Sequence, residues 1–96
     1  MLRKHNNAFS FYVMAVVIHN RIALLRAERG VSRRALSESV GVNVQTIGYL
    51  ERGDYNPSLE LGMKLASFFG VSVELLFSFS PFESVFDALM REGGDR

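Results

Sequence analysis

The chain has 96 residues and no cysteine, with a hydrophobic content of 48% and a charged fraction of 22%. This length allows one domain with a modest core, and the composition is that of a globular chain rather than a disordered one. The lack of cysteine excludes disulfide frameworks and thiolate metal sites, and a net charge of +1 does not by itself indicate a polyanionic partner.

An apolar stretch at residues 8–18 is too short to span a bilayer. Basic residues at positions 3–5 precede it, but no small-residue cleavage site follows, so we expect neither a signal peptide nor a membrane partner. The absence of cysteine fits a reducing compartment, and we expect a cytoplasmic protein.

Residues 1–19 form an N-terminal extension whose aromatic and β-branched residues alternate between positions 9 and 17, which favours a strand. Such a strand would need a partner, either the C-terminal segment or a second copy of the chain. Two alternatives remain: the segment is disordered, or translation starts at Met14 and residues 1–13 are not native.

The first predicted helix runs from about Asn20 to Arg29. Its apolar residues Ile22, Leu24 and Leu25 are expected to face inward, and Gly30 is expected to end it.

Two short helices with a tight turn between them are predicted next, at residues 33–40 and 44–52. Ser32 and Asn43 are suitable caps for their first turns, and Gly41 can adopt the left-handed conformation that the reversal requires. Apolar residues recur on one side of each helix and predict a shared core: Leu36, Val40, Val42, Ile47 and Leu50.

The outer face of the second helix is then left with Val44, Gln45, Thr46, Gly48, Tyr49 and Arg52. This arrangement is a helix-turn-helix pattern, whose outer face reads DNA. Gln45 is the best candidate for a base contact, because a side-chain amide can bind adenine bidentately. Gly48 either permits close approach of the helix to DNA or is only a tolerated surface glycine.

Two further helices complete the predicted domain. Ser58 is expected to cap one that ends at Gly70, with inward-facing Leu61, Met63, Leu65, Phe68 and Phe69. Ser72 is expected to cap the other, Val73 to Phe77, in which Leu75 and Leu76 complete the core.

Three segments, in this order and spacing, resemble the XRE, or lambda-repressor-like (Cro/CI), family of small DNA-binding regulators: NRIALLRAERGVS, SVGVNVQTIGYLERG and DYNPSLELGMKLASFFGVSVELLF. The resemblance covers residues 20–77. It implies an all-α, five-helix domain that binds double-stranded DNA, to which the extensions would add an N-terminal β arm and an extra C-terminal helix.

The resemblance also implies roles for individual residues. The base-reading positions correspond to Val44, Gln45, Thr46 and Tyr49, and Arg33 matches a position that contacts the phosphate backbone. An ion pair between Arg26 and Glu51 would tie the first helix to the end of the third. Ser37 stands where most family members have alanine, at a close crossing of two helices.

Further candidates for phosphate contacts are Arg34, Asn43, Arg52 and Asn56. Residues 1–52 hold eight Lys and Arg against three Asp and Glu, whereas residues 53–96 hold three against seven. The basic half contains the DNA-reading unit, although ordinary surface scatter could also produce this asymmetry.

The C-terminal extension, residues 78–96, is predicted to form a helix that starts at Ser80 and Pro81. Its apolar stripe either folds back over its own domain or forms a dimer interface, for which the candidates are Phe79, Phe82, Val85, Phe86 and Leu89. We favour the dimer, because a single unit touching a few base pairs rarely has enough specificity.

No catalytic residue is predicted, because no serine is accompanied by a plausible base. The two histidines, His5 and His19, have no third ligand at metal spacing, so no metal or other cofactor is expected. The sequence therefore predicts a non-enzymatic, homodimeric, sequence-specific transcriptional regulator. The alternatives are an antitoxin that also masks a protein toxin, and an interaction adaptor that has kept the fold and lost DNA affinity.

Overall fold

Six helices and two short strands make up residues 17–94, the part of the chain that the computed structural model describes. Along the chain they are β1 (His19–Asn20), α1 (Ile22–Glu28), α2 (Arg33–Val40), α3 (Val44–Arg52), α4 (Leu59–Phe69), α5 (Val73–Leu76), β2 (Phe77–Ser78) and α6 (Val85–Gly94).

One hydrophobic core joins the first five helices. Seven of its side chains are almost completely buried: Ile22, Leu36, Ile47, Leu50, Leu65, Phe69 and Leu76. Full burial of a side chain of this size contributes about 1.5–3 kcal/mol, so α1 to α5 are held together mainly by this cluster. The fold class expected from the sequence, a five-helix domain with an extra C-terminal helix, is confirmed.

Serine caps set the starts of three of the five core helices. The hydroxyls of Ser32, Ser58 and Ser72 each accept a hydrogen bond from the backbone N–H three residues later, at 3.0–3.1 Å. Asn43 also takes the cap position, in an extended conformation, but its side chain makes no capping hydrogen bond. The amide of Asn43 is therefore not used to hold α3.

The two strands form a short antiparallel ribbon, in which His19 pairs with Ser78 and Asn20 with Phe77. The C-terminal segment is thus the partner of β1, one of the two partners considered for an N-terminal strand. The predicted strand itself falls mostly on residues 9–16, which lie outside the described residues. The predicted start of the first helix at Asn20 was two residues early, because Asn20 belongs to β1.

Four residues that were expected to face inward are exposed: Leu24, Met63, Phe68 and Leu75. In α1 the buried residues are Ile22 and Leu25, and Leu24 is 61% exposed because it lies on the far side of the helix from them. The same helical geometry buries Leu76 and leaves Leu75 outside. The predictions were wrong because they took neighbouring apolar residues as facing inward together, although successive residues of an α-helix point about 100° apart.

The C-terminal helix starts later than predicted. Residues 81–84 are irregular, and α6 begins at Val85, after Ser84, whose hydroxyl accepts a hydrogen bond from the Asp87 N–H at 3.0 Å. Ser84 therefore serves as the cap that had been assigned to Ser80 and Pro81. The preceding helix, α5, also ends one residue early, since Phe77 is extended and begins β2.

The apolar side of α6 does not fold back over the core. Val85 and Phe86 are 78% and 69% exposed, and Leu89 and Met90 are also exposed. Phe82, before the helix, is half-buried beneath the guanidinium of Arg21, 4.1 Å from its ring centroid. Within residues 17–94, no helix is long and apolar enough to cross a membrane.

Candidate nucleic-acid interface

The helix-turn-helix is formed by α2 and α3 and the turn between them. Gly41 ends α2 with φ of +79°, a conformation that costs other residues about 1 kcal/mol or more. The N–H groups of Gly41 and Val42 both donate to the carbonyl of Ser37, which closes the turn. Ser37 is itself buried, and its hydroxyl donates to the Arg34 carbonyl at 2.8 Å, so a polar side chain is accommodated where α2 meets its neighbours.

Packing fixes which side of α3 faces out. Ile47 and Leu50 are buried in the core, whereas Gln45 and Tyr49 are exposed. Val44 and Thr46 are half-buried at the edges of this outer face. The four residues that were predicted to read bases therefore lie near one another, on or beside the exposed face of α3.

Gly48 is not the exposed residue that the sequence suggested. It is buried, because the side chain of Arg52 lies over it, and a Cβ at this position would stand 3.4 Å from Arg52 Nη1. The prediction of an exposed Gly48 was wrong because it did not consider the reach of an arginine four residues later. A shallow depression on the outer face results, lined by Arg33, Val44, Gln45, Gly48, Tyr49 and Arg52.

A buried carboxylate ties α3 to the two preceding helices. Glu51, with only 4% of its side chain exposed, accepts hydrogen bonds from Arg26 Nε at 2.8 Å and Arg33 Nε at 2.9 Å. Arg26 also donates to the Val31 carbonyl. The expected pair of Arg26 and Glu51 is present, and Arg33 joins it, which was not predicted.

The phosphate candidates surround α3. Half of the Arg33 side chain is exposed despite its bond to Glu51, and Arg34, Asn43 and Asn56 are exposed as well. Arg52 is exposed and donates from Nε to Asp54 Oδ2 at 3.1 Å. Most of the positive charge along this face thus comes from the start of α2 and the end of α3.

Asn20 is a residue of this unit that the sequence reasoning missed. Its Nδ2 donates to the Leu50 carbonyl of α3 at 2.8 Å, and its Oδ1 accepts from the Ile22 N–H of α1 at 3.0 Å. One side chain therefore joins the first residue of α1 to the last turn of α3. The available signal was the asparagine itself, since Asn side chains commonly accept a hydrogen bond from the backbone N–H two residues later.

The residues predicted to form a dimer interface lie away from the outer face of α3, in the C-terminal extension. Phe79, Val85, Phe86 and Leu89 are exposed, and Phe82 is half-buried. Among the side chains of residues 17–91, which the structure describes, no group of three His, Cys, Asp or Glu is placed to hold a metal ion.

Comparison with known proteins agrees with this geometry. Residues 22–76 match the helix-turn-helix family model, a range that runs from the start of α1 to the end of α5. The chain belongs to the XRE, or lambda-repressor-like, helix-turn-helix family of transcriptional regulators.

One archaeal and one bacterial relative are each similar to this chain over nearly their whole length. An uncharacterised helix-turn-helix transcriptional regulator of Archaeoglobus fulgidus is 44% identical over 62 residues, which are 65% of this chain and 89% of that protein. The Bacillus subtilis regulator YgzD, also uncharacterised, is 43% identical over 58 residues, 60% of this chain and 88% of its own.

The phage repressor RstR from Vibrio cholerae is 36% identical over 59 residues, which span 62% of this chain and 53% of the repressor. Among crystal structures, a candidate DNA-binding protein from Bacteroides fragilis superposes with a TM-score of 0.59 at 30% identity, over 64% of this chain and 98% of that one. The named relatives are transcriptional regulators, which is a non-enzymatic role.

Proposed function

We propose that the protein is a sequence-specific regulator of transcription that binds an operator in double-stranded DNA as a homodimer. The observation that carries this proposal is the outer face of α3, on which Gln45 and Tyr49 are exposed beside a basic margin. An α-helix fits the major groove, where each base pair presents a distinct pattern of donors and acceptors.

Gln45 stands in the first turn of α3, the part of a recognition helix that contacts base edges. Its amide would bind N6 and N7 of an adenine, and Val44 beside it would contact a thymine methyl group. Thr46 and Tyr49 would border the same base pairs. Side chains on the flanks, Arg33, Arg34, Asn43 and Asn56, would hold the phosphates and set the register of the helix.

The buried ion pairs support this mechanism by fixing the angle of α3. Glu51 joins Arg26 and Arg33 from two other helices, and Asn20 holds the Leu50 carbonyl. A recognition helix that is held from both sides loses little freedom on binding, which leaves more of the contact energy for affinity.

A homodimer is supported by the exposed apolar residues of the C-terminal extension, among them Phe79, Val85, Phe86 and Leu89. Two copies related by a twofold axis would present two α3 helices to half-sites about one helical turn apart. Occupancy of such an operator would block or recruit polymerase, and the repressor RstR supports the first of these outcomes.

Selection of bound duplexes from a random DNA pool tests the proposal directly, and we expect a palindromic consensus. Gln45→Ala should then weaken binding by about 1–3 kcal/mol and relax the preference at one base pair. Arg34→Ala is the matched control, because it should weaken binding to all duplexes alike and lower the slope of log affinity against log salt by about one.

Failure to select any duplex, together with affinity that does not depend on salt, would instead favour the interaction adaptor. A selected consensus without twofold symmetry would contradict the homodimer while leaving DNA reading by α3 intact.

A further inference from the structure

Arg52 is the last residue of α3, yet its side chain folds back along the outer face toward the start of the helix. Its guanidinium carbon lies 5.1 Å from the centroid of the Tyr49 ring, within the range of a cation–π contact. Its Nη1 lies over Gly48, where the absent Cβ would have stood 3.4 Å away. The guanidinium thus lies against the Gly48 backbone, at a distance that a Cβ would just tolerate.

Asp54 fixes the orientation of this guanidinium. Its Oδ2 accepts a hydrogen bond from Arg52 Nε at 3.1 Å, so the inner donor of the arginine is used. Among the described side chains, those of residues 17–91, no acceptor is bonded to the two terminal nitrogens, Nη1 and Nη2. Two terminal nitrogens in one plane form the fork that matches a pair of neighbouring acceptors.

We propose that Arg52 reads a guanine, donating from Nη1 and Nη2 to O6 and N7 in the major groove. Asp54 and Tyr49 act as positioning residues. This inference rests on the proposed binding of DNA by α3, and it assigns to Arg52 a base contact in place of the phosphate contact that the sequence suggested.

The carboxylate of Asp54 is the reason for preferring a guanine edge to a phosphate. An arginine that only neutralised a phosphate would be weakened by a negative charge 3.1 Å from its Nε, since the carboxylate repels the phosphate. A guanine edge is uncharged, so the carboxylate costs little there and holds the fork in place. Arg52 also borders the same depression as Gln45, which places it beside an expected base-reading residue.

The test uses the selected duplex and a set of duplexes in which each base pair is replaced in turn, with affinities measured by fluorescence anisotropy. Arg52→Ala removes both terminal donors, so we expect it to lose roughly tenfold discrimination at one guanine. Its salt dependence should stay close to that of the wild type, because a guanine edge carries no phosphate charge. If Arg52→Ala retains every base preference, the proposal is wrong.

A further variant tests the positioning role of Asp54. Asp54→Asn should reduce discrimination at the same guanine while tightening binding to unrelated duplexes. Gly48→Ala is the control, because its Cβ would meet Arg52 Nη1 at an ordinary van der Waals distance of 3.4 Å and should leave the guanine preference in place. An unchanged guanine preference in Asp54→Asn would contradict its positioning role.

Arg34→Ala is the control for charge, because removal of this arginine should lower the affinity for all duplexes equally. A wild-type protein that selects no DNA would refute the proposed function as a whole. Specific binding that does not depend on a guanine at the Arg52 position would refute only this inference.

Discussion

Glu51 is the residue on which the geometry of α3 depends most. Its carboxylate is buried and holds two arginines at once, Arg26 at 2.8 Å and Arg33 at 2.9 Å. Burial of one carboxylate is tolerated here because both oxygens accept charge-assisted hydrogen bonds. Arg33 is half-exposed on the same side as the outer face of α3. The buried carboxylate of Glu51 is therefore bonded directly to a side chain for which we propose a phosphate contact.

We predict that Glu51→Gln lowers the free energy of unfolding by about 2–4 kcal/mol, because two arginines lose their shared negative partner. Urea denaturation followed by circular dichroism would measure this loss. The control is Glu60→Gln, which removes an exposed bond to Lys64 on α4 and should leave the midpoint almost unchanged. Equal effects of the two substitutions would show that burial of Glu51 is unimportant.

The helices at the centre of the fold could be predicted closely from the sequence. The bounds of α2 and α3 match the prediction, because Ser32, Asn43 and the glycines at positions 41 and 53 mark their ends locally. The features that were missed depend on residues far apart in the chain. Nothing near Asn20 in the sequence indicates that it reaches the Leu50 carbonyl, thirty residues away.

The start of α6 was also predicted incorrectly, although the signals for it are local. A serine followed by proline is a common start signal, but Ser84 with an acidic residue three positions later is another, and the structure uses the second. Glu83 then reaches along α6 to Arg91, with two hydrogen bonds of 2.9 and 3.0 Å. A residue outside the helix thus joins its first turn to its last.

The ion pair between Glu83 and Arg91 predicts that the stability of α6 depends on pH. The hydrogen bonds from Arg91 hold the pKa of Glu83 below its ordinary value of 4.5. A carboxylate with a lowered pKa stabilises the folded helix above pH 4.5, and this contribution is lost as the pH falls through the lowered pKa. We therefore expect amide chemical shifts of residues 85–91 to move toward coil values in acid.

Glu83→Gln should remove most of that pH dependence from α6 while leaving α3 unaffected. Amide shifts of α6 that stay constant in the wild type down to pH 2 would contradict the role given to Glu83.

At the scale of the whole molecule, the separation of α6 from the core allows assembly and folding to be tested independently. The exposed residues Val85, Phe86 and Leu89 belong to α6 and do not take part in the core formed by α1 to α5. If α6 forms the proposed dimer interface, substitutions on it should change the association of two copies and leave each domain folded.

We predict that Phe86→Glu with Leu89→Glu shifts the protein to a monomer, because two apolar side chains are replaced by charges at the proposed interface. Sedimentation equilibrium would measure the change in mass, and thermal unfolding should show an unchanged core. DNA affinity should fall strongly, since the two half-sites would then be bound independently. Lys64→Glu on α4, outside the extension, is the control and should leave the mass unchanged.

The ribbon of β1 and β2 has a practical consequence for protein engineering. His19 and Ser78 lie opposite each other in an antiparallel pair, so their Cα atoms are only about 5 Å apart. The stretch between them contains all five core helices, and its two ends meet at one point on the surface. We therefore expect that residues 19–78 can be inserted as a unit into a surface loop of a host enzyme, to which they would bring the proposed DNA-reading helix.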